Sequence, residues 1–231
     1  MATVTQLLDR AAQLTGLRTS GTERTLALQA LQNTYRRALL DTECDPTYVS
    51  YTFSSSDDSY SLATLLSDTP VRLLHVSLTT SGGELPMSQV SSRELFDMRA
   101  VQEAQGTPRL YSTIGFDRIA FYPNPGVGDT VQIWYLADTP TLVETGAGAG
   151  EEESPSKIPV HFHWDVLLAG TVLEMLDKDQ RSKDVEFWSM RYERGLAKLI
   201  EHIGQFGGSA NRAYYGISER RPYYRDERTR R

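Results

Sequence analysis

The chain has 231 residues, 39% of them apolar and 23% charged, with a formal net charge of −6. That mix fits one soluble domain, or one domain with an insertion, and no stretch approaches the roughly 18 consecutive apolar residues of a membrane helix. A single cysteine, Cys44, excludes an internal disulfide framework and a cysteine-based zinc site, and it suits assembly in a reducing cytoplasm.

The N-terminal MATVTQLLDR carries Asp9 and Arg10 where a secretory signal would be apolar, so no such targeting is expected. Val4, Leu7, Leu8, Ala11 and Leu14 recur at helical spacing behind Thr3, a capping residue, and Gly16 ends this first helix. A second helix runs from the Ser20-Gly21-Thr22-Glu23 cap to about Thr42. Leu26, Leu31, Tyr35, Ala38 and Leu39 form its inner face, and Arg24, Arg36 and Arg37 its outer one. Asp45-Pro46 closes the helical part, because the residue before proline is pushed out of helical geometry.

A β-rich stretch follows. Tyr48 to Phe53 alternates as a strand, Ser54 to Ser59 is a polar loop, and Val71 to Leu78 is a stronger strand before the turn Ser81-Gly82-Gly83. Ser91 and Glu94 have the spacing of a capping box for a short helix carrying Leu95, Phe96, Met98 and Val101. From Arg109 to Leu142 the pattern predicts a small antiparallel meander. Ile114 to Arg118 makes its first turn, Arg118 to Tyr122 is a strand stopped by Pro123-Asn124-Pro125-Gly126, and Thr130 to Leu136 returns. Val131, Ile133 and Tyr135 share one face of that last strand and Gln132 and Trp134 the other.

Glu144 to Lys157, ETGAGAGEEESPSK, is acidic and low in complexity, which predicts an exposed, mobile loop. Pro159 suits the first turn of the next helix, which carries Phe162, Val166, Leu167, Leu168, Val172, Leu173, Met175 and Leu176 and is apolar nearly all round. After the break Asp177-Lys178-Asp179-Gln180, a last helix sets Val185, Trp188, Tyr192, Leu196, Leu199 and Ile203 on one seam. Beyond Gly204, Gly207 and Gly208 the tail mixes Tyr214, Tyr215, Tyr223 and Tyr224 with arginines and shows no helical or strand period. From Gln205 onward seven arginines face three carboxylates, so the tail is +4 and the body −10. An acidic body argues against a protein that grips nucleic acid over its whole surface, since phosphate contacts need clustered Lys and Arg.

Candidate chemistry is sparse. His161 and His163, two apart at a helix start, do not share a face, so with Glu174 they make a poor metal site and read as surface histidines. Gly146 to Gly150 resembles a phosphate loop only superficially: no Lys-Ser/Thr follows, and Glu151, Glu152 and Glu153 would repel a phosphate. Asp57-Asp58 and Asp177/Asp179 lie in polar breaks, where solvated charge is the ordinary explanation for such pairs. No G-x-S-x-G elbow occurs. Cys44 between Glu43 and Asp45 has neighbours that disfavour a thiolate. No catalytic, cofactor or metal residue is assigned, and the chain is read as a non-enzyme.

The order of these parts carries a resemblance: a strand stopped by Tyr122-Pro123-Asn124-Pro125, a strand ending in WYLADTPTL, a linker, Ile158-Pro159 opening an apolar helix, a charged break, and an amphipathic helix ending near Gly204. Over roughly residues 1 to 208 the chain resembles the head-to-tail adaptor proteins of tailed bacteriophages. The expected fold class is α+β: an antiparallel helical bundle (1–47 and 156–208), an inserted β-rich meander subdomain (48–155, including the acidic Gly-rich loop 144–157), and an extended basic and aromatic arm (209–231). The bundle core is expected from Leu31, Tyr35, Leu168, Leu173, Trp188, Tyr192, Leu196 and Leu199. The resemblance implies a virion protein, assembled in the host cytoplasm, of which about twelve copies form a ring beneath the portal and line the DNA channel. It also implies three neighbours: the portal protein, other copies of the chain, and the next head-completion or tail protein. DNA would pass without specific binding, and neither cofactor nor membrane is involved. In the arm, Tyr214, Tyr215, Tyr223 and Tyr224 are the expected anchors, with Arg220, Arg221 and Arg225 pairing with acidic portal groups. The rivals are a head-completion or tail-terminator component, disfavoured by the two long C-terminal helices, and a DNA-binding accessory protein using the basic tail.

Overall fold

The computed structural model describes residues 2–18, 20–101, 106–115, 117–176 and 182–206. It is a mixed α+β structure with two hydrophobic cores.

The first core is helical. Helix α1 (Val4–Thr15) begins in a capping box in which Thr3 and Gln6 satisfy each other's backbone N–H groups, and it ends at Gly16 in the left-handed conformation. Helix α2 (Thr22–Thr42) buries Ala27, Ala30, Leu31, Thr34, Tyr35, Ala38 and Leu39. The apolar segment predicted after Ile158 is one continuous run in three geometries. A 3₁₀ turn (Val160–Phe162) follows Pro159, a π-helical stretch (His163–Leu168) comes next, and helix α5 (Ala169–Leu176) completes it. Every residue from Val166 to Val172 is buried, because this run contacts α1, α2 and α6 (Ser182–Phe206) together. Leu31, Tyr35, Leu168, Trp188, Tyr192 and Leu199 are buried in this core, and Leu173, Leu196, Val185 and Ile203 pack partly buried against it.

Two glycines permit that packing. A Cβ at Gly170 of α5 would lie 2.4 Å from Thr34 Cγ2 and 2.9 Å from Tyr192 Cε2. A Cβ at Gly195 of α6 would lie 2.6 Å from the carbonyl oxygen of Asp165 in the π-helical stretch. Gly170 thus leaves room for the side chains of Thr34 and Tyr192, and Gly195 lets α6 approach the backbone of the π-helical stretch. Arg191, one turn before Gly195, reinforces the second crossing with a 2.9 Å ion pair to Asp165 and a cation–π contact over Trp188.

The second core lies in the β part. Strands β1 (Thr47–Thr52), β3 (Pro70–Thr80), β4 (Gly83–Pro86) and β8 (Thr130–Ala137) form an antiparallel sheet in the order β1-β8-β3-β4. Strands β2 (Tyr60–Ser61), β5 (Ser88–Gln89), β6 (Leu110–Ile114) and β7 (Arg118–Tyr122) form a second sheet in the order β2-β7-β6-β5. Val76, Leu78, Val131, Ile133 and Tyr135 from the first sheet share one core with Tyr60, Tyr111, Ile119 and Phe121 from the second. Phe53 contacts both Tyr60 and Phe121 with its ring. A short helix, α3 (Leu62–Leu65), follows β2. Helix α4 (Ser92–Val101) opens on the Ser91/Glu94 capping box and packs on β6 and β7.

This corrects the predicted three-strand meander. β6 and β7 pair as a hairpin, but β8 does not pair with β7; it inserts between β1 and β3. Pro123 and Pro125 remove the ladder donors that a tight β7–β8 hairpin would use, so the chain leaves one sheet and enters the other. The period-2 reading of β8 holds: Val131, Ile133 and Tyr135 are fully buried and Gln132 and Trp134 half-buried.

Candidate docking surfaces

The acidic segment 144–157, expected to be a mobile loop, is tied down at many points. Strand β10 (Glu151–Glu152) pairs in parallel with β9 (Thr141–Leu142), and the Glu153 carbonyl accepts a 2.9 Å hydrogen bond from Val4 N at the start of α1. The carboxylate of Glu144 takes Arg24 Nε at 2.8 Å while Arg24 also reaches Asp9 at 2.7 Å, so one arginine joins the loop to α1 and α2. Arg24, predicted on the outer face of α2, is thus largely covered, and its two carboxylate partners raise its proton affinity further. The buried Tyr35 hydroxyl donates to Glu152 at 3.3 Å and accepts from Lys157 N at 3.1 Å. Composition suggested mobility; the carboxylates supply the order, because each finds a donor.

The same geometry disposes of the phosphate-loop reading. Gly146 N and Ala147 N donate to Glu153 Oε1 at 2.6 and 3.3 Å, and Gly148 N donates to Glu151 Oε2 at 2.9 Å. The peptide nitrogens that would cradle an anion are already turned to the loop's own acids.

The other candidate residues fall into structural roles. His163, read as a surface histidine, is fully buried, with Nε2 at 2.8 Å from the Ile158 carbonyl, and burial lowers its proton affinity. It is the first residue of the π-helical stretch. His161 stays exposed and stacks against Phe162 and His202. Asp58 accepts from Asn124 Nδ2 at 3.0 Å, and its carbonyl accepts from Arg99, a guanidinium that also binds the Phe121 carbonyl. Cys44 donates to the Lys157 carbonyl, and burial, then the Asp45 carboxylate, push its thiol up to about 11. Asp177 and Asp179 lie outside the described residues. Among the described residues no group of three or more His, Cys, Asp or Glu side chains is placed to hold a metal ion, and no helix is long and apolar enough to cross a membrane.

The predicted docking residues Tyr214, Tyr215, Arg220, Arg221, Tyr223, Tyr224 and Arg225 also lie outside the described residues; α6 ends at Phe206. Beside a groove of about 490 Å³ between α2, α5 and α6, two open grooves of about 410 Å³ each combine exposed apolar side chains with charge. One runs along α6 between Phe187, Met190, Arg191, Arg194 and Lys198, with Asp165 at its edge. The other lies on α4 between Glu94, Asp97, Met98, Val101 and Tyr122. Sequence reasoning missed both. The signal was present as apolar residues falling on the polar side of a helical period, Phe187 and Met190 in α6 and Met98 and Val101 in α4.

The chain is matched from residue 2 to residue 218 by the model of a family described as SU10 adaptor protein. No curated protein is significantly similar to it. A solved structure described as "Neck of empty GTA particle computed with C6 symmetry" holds a chain similar to this one at 15% identity and a TM-score of 0.26. The match covers 81% of this chain and 92% of that one. The family match spans nearly the whole sequence, including both cores, and it agrees with the phage head-to-tail resemblance carried by the order of strands and helices. The chain therefore belongs to the SU10 adaptor protein family, a family of phage head-to-tail adaptors.

Proposed function

We propose that the chain assembles as a ring beneath the portal, docks on the portal through its C-terminal arm, and lines the channel through which DNA passes. The family match over residues 2–218 carries this reading. In it, 1–47 and 156–208 form the helical body, 48–155 the β-rich part, and 209–231 the arm. Tyr214, Tyr215, Tyr223 and Tyr224 anchor the arm, while Arg220, Arg221 and Arg225 pair with acidic portal groups. The β-rich part contacts the next head-completion or tail component. The acidic body supports a channel role, since a negative wall repels phosphate and lets DNA move. The chain acts by assembly, without catalysis or cofactor.

The test is co-sedimentation with the portal ring of the same genome, followed by electron microscopy, comparing the full chain with one ending at Gly208. A ring formed by the full chain and not by the shorter one supports both the adaptor role and the arm's part in it. The basic arm also favours one rival, a DNA-binding accessory role. If neither chain binds the portal and the full chain retains DNA in a salt-sensitive way, the connector reading is wrong.

A further inference from the structure

We infer that neighbouring copies meet head-to-tail, the α6 groove of one copy receiving the α4 groove of the next. This rests on the ring reading above and names the surfaces that would close the ring. Both surfaces combine solvent-facing apolar side chains with charge. On α6, Phe187 and Met190 are 53% and 57% exposed. On α4, Met98 and Val101 are 38% and 83% exposed. A monomer gains nothing by placing such residues in water, and adjacent exposed apolar side chains mark contact surfaces.

The charges decide the partner. The α6 groove has three cations, Arg191, Arg194 and Lys198, against the single carboxylate of Asp165. Arg191 is held by Asp165, and among the described residues Arg194 and Lys198 make no ion pair. The α4 groove has Glu94 and Asp97 and no cation in its lining. Glu94 is used by the capping box but keeps its charge, and Asp97 has only a loose contact with Arg93, at 4.0 Å. Each groove thus offers the charge the other lacks around an apolar centre, the arrangement of a hot spot with a polar rim. The two grooves sit on different cores, α4 on β6 and β7 and α6 on α5 and the π-helical stretch. A contact between unlike surfaces of identical chains is heterologous: each copy uses each surface once, and the rotation generates a ring when it closes.

The test uses the full chain and the portal ring, with Asp97→Lys and Arg194→Glu made singly and together, and thermal unfolding as a check on folding. Each single reversal is expected to lower the amount of chain loaded per portal about tenfold or more, and the double reversal to restore it to within about threefold of the parent. Folded single variants that load like the parent, or a double variant no better than the singles, overturn the inference while the adaptor reading stands. In parallel, Met98→Cys and Met190→Cys are combined on a Cys44→Ser chain and oxidised at high protein concentration. A ladder of linked copies, absent with either cysteine alone, is expected. A ladder from a chain that never loads on the portal supports the contact and sinks the portal reading; no loading and no ladder sinks both. If Arg194→Glu reduces salt-sensitive DNA retention and no ladder forms, the α6 groove is a nucleic-acid surface and the inference fails.

Discussion

Replacing Gly195 by alanine isolates the helix crossing on which the helical core depends. Two effects compete. Alanine favours the helical state over glycine by about 1 kcal/mol in a helix interior. Against this, the new Cβ falls 2.6 Å from the carbonyl oxygen and 2.9 Å from the carbonyl carbon of Asp165. These are backbone atoms of the facing segment, so no rotamer change relieves the clash. Overpacking of a tight core costs roughly 1–3 kcal/mol, and an immovable partner puts the cost near the upper end. The expected balance is a loss of about 2 kcal/mol, or about 4–8 °C in Tm for a chain of this size. Gly204 serves as the internal control: it lies in the same helix, and a Cβ there meets nothing within 4 Å. Gly204→Ala is expected to stabilise by about 0.5 kcal/mol, less than the full helix-interior gain because the last turn frays. Urea unfolding followed by tryptophan fluorescence measures both. If Gly195→Ala is as stable as the parent, or if the two alanines shift stability in the same direction, the close crossing described here is wrong.

Thr3→Ala removes one half of the α1 capping box and is expected to cost about 1 kcal/mol in the same urea experiment, with Thr3→Ser close to neutral. Stability is expected to fall as pH drops below about 6.5. The buried His163 binds its proton less readily folded than unfolded, so the unfolded state takes up more protons in that range; the half-buried His75 acts in the same sense. His163→Gln should flatten the slope between pH 5 and 7 measured by thermal unfolding, and an unchanged slope would remove His163 from the account. With its thiol at about 11, Cys44 should react with a disulfide reagent at pH 8 about a hundredfold more slowly than an unfolded control. Native-state labelling at the unfolded rate would show that the site is open.

The helical elements were readable because their signals are local. Thr3 with Gln6, Ser91 with Glu94, and Gly16 are caps whose partners lie within one turn. The seam Trp188-Tyr192-Leu199 follows from period alone, and the continuous burial from Val166 to Val172 follows from an apolar run. Sheet assignment was not local. Strand β8 was found, but nothing in its residues says that it pairs with β1 and β3 in place of the strand just before it; that choice depends on which sheet needs Val131, Ile133 and Tyr135 to complete its buried face. The π-helical stretch was also invisible. It carries the Asp165 carbonyl that meets Gly195 of α6, a tertiary contact with no sequence period.

The acidic loop, expected to be mobile, is hydrogen-bonded along its length, and that has a consequence for the proposed channel. Glu151 and Glu153 are held by peptide N–H groups, and Glu152 by hydroxyls and a peptide N–H. Hydrogen bonds of this kind fix a carboxylate in place without neutralising it. Glu144 does meet a cation, but Arg24 is shared with Asp9, so that trio keeps one net negative charge. The segment is therefore a hydrogen-bonded cluster of formal negative charge, where an untethered loop could swing its acids away from a passing polyanion. If this cluster faces the DNA path in the proposed ring, the double variant Glu151→Gln/Glu153→Gln keeps the acceptor oxygens and removes two charges. Rings of that variant on the portal should retain short duplex DNA severalfold better at low salt, with the difference fading toward 0.5 M salt as the Debye length falls to about 4 Å. Portal loading should not change. Equal retention by parent and variant at every salt concentration would place the cluster away from the channel and leave its role as a clamp between α1, α2 and the β part.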